Sequence, residues 1–154
     1  MTSFDQRLAS LKIILPEPEQ AVANYAPYVI VGDMVIISGQ LPLQGGDVAF
    51  KGKVGQGLSL EEGQAAARLC AINILTQLKA ACSGDLARVK RCVRLGGFVN
   101  CGPDFTDQPK VINGASDLMI DVFGNAGRHA RAAVGVNALP LGAAVEIEAT
   151  FLID

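Results

Sequence analysis

Residues 127–153 read Gly-Arg-His-Ala-Arg-Ala-Ala-Val-Gly-Val-Asn-Ala-Leu-Pro-Leu-Gly-Ala-Ala-Val-Glu-Ile-Glu-Ala-Thr-Phe-Leu-Ile. The last ten alternate: Val145, Ile147, Ala149 and Phe151 against Glu146, Glu148 and Thr150. Period two with one polar row predicts a strand that buries one face and wets the other. Residues 130–137 predict a second strand, and Leu139-Pro-Leu-Gly142 carries the turn chemistry between them, Pro presetting φ and Gly permitting positive φ. Paired as a hairpin, the two strands place Arg131 opposite the neighbourhood of Glu148 and near Glu146. By spacing alone the simplest outcome is a cross-strand ion pair on a wet face, worth about 0.2–1 kcal/mol. The alternative is an arginine that opens a strand, faces a cleft and grips a carboxylate with both arms.

Upstream, Ser59 and Glu62 make a capping box, and Ala67, Ala71, Ile74 or Leu75, Leu78 and Cys82 recur on one face. They predict a helix from about Leu60 to Cys82, closed by Gly84 at C′, thin enough in alanine to lie close on a sheet. A second helix is expected from Thr106 or Asp107 to about Phe123, buried through Val111, Ala115, Leu118, Met119 and Val122. Residues 88–99 alternate as a half-buried strand, with Gly96-Gly97 as a bulge; the arginines there read as a solvated face rather than a nucleic-acid patch. Gly32-Asp33 between Tyr28–Val31 and Met34–Ser38 predicts a hairpin. Short strands are expected near 48–51 and 53–55. Residues 3–14 predict a helix burying Phe4, Leu8, Leu11 and Ile14, ended by Pro16 and Pro18. The order β-β-(β)-α-β-α-β-β is α+β: a mixed, mainly antiparallel sheet with two long helices on one face. The other face is apolar with few charges, and self-association is its simplest cover.

The 154 residues fit one domain, and half are hydrophobic against 18% charged, which excludes disorder. No apolar run approaches a membrane span, and a net charge of −2 advertises no nucleic-acid surface. The four cysteines form no C-x-x-C pair, and the one histidine, His129, cannot complete a zinc pattern. Free thiols in a chain of this size, with no signal-like N-terminus, imply a cytoplasmic protein. His129, flanked by Arg128 and Arg131, reads as structural or surface rather than catalytic. No P-loop, G-x-S-x-G, H-E-x-x-H or dinucleotide fingerprint is present.

Three segments at matching separations around the two helices carry a specific resemblance: Ile37-Ser-Gly-Gln-Leu-Pro42, Arg131-x-x-Val-x-Val-x-x-Leu-Pro140 and Val145-Glu-Ile-Glu-Ala149. Over about residues 25–153 the chain resembles the Rid/YjgF family, formerly called L-PSP endoribonuclease-like, as a divergent subgroup. The resemblance implies a chorismate-mutase-like homotrimer with clefts between subunits: residues 1–20 as a helical extension, 21–154 as the family domain. It implies hydrolysis of 2-enamine or 2-imine acids to 2-keto acids and ammonia, without metal or cofactor. By position, Arg131 holds the carboxylate of the imino or keto acid and Glu146 orients water. Ser38, Gly39, Ala133 and Tyr28 line the pocket, with Tyr25 the rival to Tyr28. Ala133 replaces an archetypal cysteine, and Pro103 replaces an archetypal asparagine before the second helix. Two other outcomes stay open: a carboxylate-binding trimer without turnover, and a related C–N hydrolase of aminomuconate or carbamate type. RNA cleavage, which the older family label suggests, is disfavoured by the acidic pI and the lack of a catalytic histidine pair.

Overall fold

The computed structural model describes residues 2–18, 20 and 23–154. The helices are α1 (Ser3–Ser10), α2 (Leu60–Ala81) and α3 (Gln108–Phe123). The strands are β1 (Tyr28–Val31), β2 (Met34–Gln40), β3 (Leu43–Gln44), β4 (Asp47–Val48), β5 (Lys53–Val54), β6 (Gly57–Leu58), β7 (Val89–Asn100), β8 (Ala130–Val136) and β9 (Val145–Ile153). The main sheet has five strands in the order β1-β2-β9-β7-β8, and all its pairs are antiparallel except β7 with β8. Helices α2 and α3 pack together on one face. The core between the layers joins Val35, Ile37, Leu95, Val99, Ile147 and Phe151 to Cys70, Ile74, Leu78, Val111, Leu118 and Met119. The expected α+β architecture is thus present.

The hairpin of residues 130–153 does not form. β8 pairs with β7, Arg131 opposite Leu95, while β9 lies on the other side of β7 and between it and β2. Parallel neighbours need a crossover, and α3 supplies it from β7 to β8. The Leu139–Gly142 turn then carries the chain past β7 instead of folding it back. It is held there by bonds to a different segment: Gly52 N–H to the Gly142 carbonyl at 2.9 Å, and Ala144 N–H to the Phe50 carbonyl at 3.0 Å. Arg94 takes the ion pair with Glu148 that the hairpin assigned to Arg131, at 3.3 Å.

Other local expectations were displaced by backbone geometry. Helix α1 stops at Ser10, well before the prolines, because Lys12 adopts φ 58°. Lys12 N–H bonds the Ala9 carbonyl and Ile13 N–H the Leu8 carbonyl, the paired bonds of a Schellman cap. That turn buries Ile13 and leaves Ile14 93% exposed. Helix α2 has the expected capping box, but its C′ residue is Ser83 (φ 55°), with Gly84 one position later. Gly96 and Gly97 are not a bulge, since β7 is irregular at Val89/Arg91 and Cys92/Arg94 instead. They allow close approach: a Cβ on Gly97 would fall 2.6 Å from Ile112 Cδ1 of α3.

All four cysteines are free and buried. Burial pushes the Cys70 thiol well up, helped by the nearby Glu146 charge, and pushes Cys92 up to about 12. Helix α1 packs onto the core, with the Phe4 and Phe123 rings edge-on at 5.0 Å and Arg7 Nη1 donating to the Val122 carbonyl at 3.0 Å. The boundary expected between residues 20 and 21 lies outside the described residues. Among those described, no helix is long and apolar enough to cross a membrane.

Candidate functional site

The sequence-predicted residues fall into two groups on opposite faces of the sheet. The first surrounds Arg131 on β8, the sheet's outer strand, on the face that carries α3. Its Nη1 donates to Asn113 Oδ1 at 2.9 Å and to Ser116 Oγ at 2.9 Å, and its Nη2 donates to the Pro109 carbonyl at 3.1 Å. Positions 109, 113 and 116 form one stripe of α3, at the i, i+4, i+7 spacing of a single helix face. Three of the five guanidinium N–H groups are thereby used. Nε–H and the second Nη2–H have no acceptor in the hydrogen bonds of the described residues, which leaves two N–H groups for a ligand. Ala133, two residues on, shares this face.

His129 completes the cluster. Its Nδ1 lies 2.7 Å from the Gly127 carbonyl and its Nε2 lies 2.9 Å from Ser116 Oγ. A carbonyl only accepts, so Nδ1 carries the proton, and in the neutral ring Nε2 accepts from the Ser116 hydroxyl. Burial holds the imidazole below its usual range, the Gly127 bond opposes that shift, and the Arg131 charge adds to it. The cluster opens into a shallow cavity of about 260 Å³ that Asp117, Ile120 and Arg128 also line.

The second group surrounds Glu146 on β9. Val145 and Ile147 point into the core, so Glu146 points to the face without helices, half-buried and beside Phe98 in the β7 register. Its carboxyl lies over Gly39, where a Cβ would stand 3.0 Å from Glu146 Cδ. Ser38 and Gly39 fall where the β2–β9 register shifts, a bulge that re-aims the strand. Ser38 Oγ donates to the Ala26 carbonyl at 2.7 Å, and its N–H donates to the Pro27 carbonyl at 2.9 Å, tying the segment before β1 to the site. Burial raises the Glu146 carboxyl above its ordinary range, and the Glu148 charge adds to this.

Tyr28 stands opposite Ile37 and packs against the core, while Tyr25 is 55% exposed. Neither is bonded to Arg131 or Glu146 in the hydrogen bonds of the described residues. Pro103 lines a separate cavity of about 420 Å³ with Cys101, Phe105, Gln108, Gly135 and Asn137. Sequence reasoning missed Asn113 and Ser116; with Gln108, Lys110, Asp117 and Asp121 on the same helix, nothing in the sequence set these two polar residues apart. Among the described residues, no group of three or more His, Cys, Asp or Glu is placed to hold a metal ion.

The two-layer α+β fold, with both long helices on one face of a mixed sheet, is of the chorismate-mutase-like class. The chain belongs to the family described as "YjgF/chorismate mutase-like, putative endoribonuclease", whose model matches residues 5–149. It is 51% identical over 143 residues to Protein TCP17 of Trypanosoma cruzi, covering 92% of this chain and 89% of that one. Among solved structures it resembles Atu1372 of Agrobacterium tumefaciens, described as of unknown function. The TM-score is 0.93 and the identity 47%, over 99% of this chain and 93% of that one. It also resembles a "putative endoribonuclease" of Shewanella oneidensis, with TM-score 0.95 and 37% identity over 99% and 100% of the two chains.

Proposed function

We propose that the protein is a homotrimer that hydrolyses 2-enamine or 2-imine acids to 2-keto acids and ammonia in clefts between subunits. The observation that carries this reading is the Arg131 guanidinium, anchored through three N–H groups to α3 with two left for a carboxylate. A pre-aimed guanidinium holds the substrate in one orientation and so removes part of the entropic barrier. The imine carbon is already electrophilic, so the reaction needs an oriented water and a proton carrier rather than a covalent nucleophile. Water adds to the carbon of the protonated imine as one of its protons passes to Glu146. Glu146 returns that proton to the carbinolamine nitrogen, the C–N bond breaks as the hydroxyl proton passes back to Glu146, and ammonia and the 2-keto acid leave. A carboxyl raised by burial is closer to the working pH, which suits a group that must take and return a proton. Ser38, Gly39, Ala133 and Tyr28 are assigned to the cleft walls.

The test is keto-acid formation from 2-iminobutyrate or 2-aminoacrylate generated in situ. Purified protein accelerates it, and Arg131→Ala lowers kcat/KM by about 10²-fold or more, the scale of losing a charge-assisted fork at a reacting substrate. No acceleration across several imino acids overturns the reading. Thermal stabilisation by keto acids without turnover would then assign the protein as a binder. Turnover of aminomuconate or carbamate substrates would move it to that branch of C–N hydrolysis. RNA cleavage has less support, because Arg88 and Lys90 pair with Asp154, and Arg94 with Glu148, along the strand that looks basic in sequence.

A further inference from the structure

We propose that His129 is a positioning residue for Arg131: through the Ser116 hydroxyl it fixes the guanidinium in the orientation that receives a carboxylate. This rests on the carboxylate-binding reading of Arg131 given above. The geometry is a directed chain. Gly127 holds the ring through Nδ1–H, Nε2 takes the Ser116 hydroxyl proton, and the lone pairs of Ser116 Oγ are thereby turned toward Arg131 Nη1. Ser116 is 8% exposed, so water is a poor substitute for either partner. Asn113 alone leaves Nη1 half-satisfied, and the guanidinium is then free to rotate off its stripe. Protonating the ring reverses the chain: Nε2–H donates to Ser116 Oγ, the hydroxyl proton loses its acceptor and must swing away, and a second cation stands beside Arg131 on the same oxygen. The charged groups that line the cavity around His129 are Asp117 on α3, Arg128 before β8 and Arg131 on β8.

Two measurements test this. The first needs no ligand. His129 is the one histidine of the chain, so its imidazole nitrogen resonances are unambiguous. The ring is expected as the Nδ1–H tautomer at neutral pH, and slow rotation of the Arg131 guanidinium is expected to become fast in Ser116→Ala and His129→Phe. His129→Gln, whose Oε1 can accept from Ser116, is expected to keep it slow. An Nε2–H tautomer, or unchanged Arg131 rotation in both disrupting variants, overturns the proposal. The second uses 2-ketobutyrate as probe. Ser116→Ala and His129→Phe are expected to weaken its binding about 3- to 10-fold, the worth of one buried hydrogen bond. His129→Gln should bind as the wild type does at pH 7 and lose the weakening that the wild type shows as pH falls through the lowered range of the imidazole. Arg131→Ala separates the two readings. If it abolishes binding while His129→Phe does not weaken it, only the positioning role fails; if Arg131→Ala binds normally, the carboxylate reading fails and the rotation measurement still decides the role of His129.

Discussion

Glu146 occupies a place that a neutral side chain would hold at lower cost. Its carboxyl is half-buried over Gly39, with Glu148 two residues along the same face, and both effects raise its titration point. In the folded protein the proton is kept through a pH range in which the unfolded chain has released it. Folding stability therefore falls as pH rises from the ordinary Glu value of about 4.3 through the raised one, and the charged form remains a cost above that. Glu146→Gln is expected to raise Tm at pH 7, to flatten the decline of Tm between pH 4 and pH 7, and to lower kcat. A lower Tm at pH 7 would mean that a partner stabilises the charge. Arg131 and Glu146 could be named as candidates from sequence because each sits in a short motif. The contacts of Asn113, Ser116 and His129 could not be read there, because they depend on which stripe of α3 lies over β8. That is a tertiary fact; the reading of the lone histidine as structural or surface agrees with its bonds to Gly127 and Ser116.

At the scale of elements, local signals succeeded wherever periodicity or capping was strong. The capping box of α2, the Gly32-Asp33 hairpin and the alternation of β9 all appear as read. The failure at β8 and β9 has a specific cause. A Leu-Pro-Leu-Gly turn between two strands states only that the chain turns; whether the strands pair depends on what fills the space between them. Here β7, with Gly97 and Gly96 offering close approach on its two faces, fills it. The position of α3 is itself set by small residues. A Cβ on Gly114 would lie 2.1 Å from the backbone carbonyl oxygen of Gln64 on α2, an atom that cannot swing away. Gly114→Ala gains up to about 1 kcal/mol of helix propensity but forces the helices apart, a change that costs about 1–3 kcal/mol. The expected result is net destabilisation of about 1–2 kcal/mol by urea denaturation, with weaker keto-acid binding, since Asn113 and Ser116 flank the displaced turn. A more stable variant would show that α3 is free to shift without loss.

For the whole molecule, the low charge fraction has a location. The face of the sheet opposite the helices exposes Val29, Val31 and Ile36 at one edge and Val134 at the other, at 45–62%, the latter in register with Phe98 and Glu146. Exposed apolar side chains at both edges of this face, with the Arg94–Glu148 ion pair between them, suit a partner of mixed character, and in the proposed trimer the partner is another copy. The two site groups make the same demand on other grounds. Glu146 and Arg131 are separated by two strand spacings, about 9.6 Å, and by three residues along the strands, about 10 Å, with their side chains on opposite faces. An imino acid of a few carbon atoms does not bridge that gap. If both groups act on one substrate, they come from different copies, and each cleft takes its arginine from one subunit and its glutamate from the next. Subunit mixing tests this directly. Arg131→Ala and Glu146→Gln trimers are each expected to be nearly inactive. Unfolded, mixed in equal amounts and refolded together, they place an intact arginine beside an intact glutamate in ~25% of the clefts, because two independent choices must both fall correctly. Recovery to about a quarter of wild-type turnover is therefore expected, rising and falling symmetrically as the mixing ratio departs from one to one. Mixtures that stay as inactive as their parents, although mixed trimers are seen by native mass spectrometry, would show that the two residues do not serve one cleft from two copies.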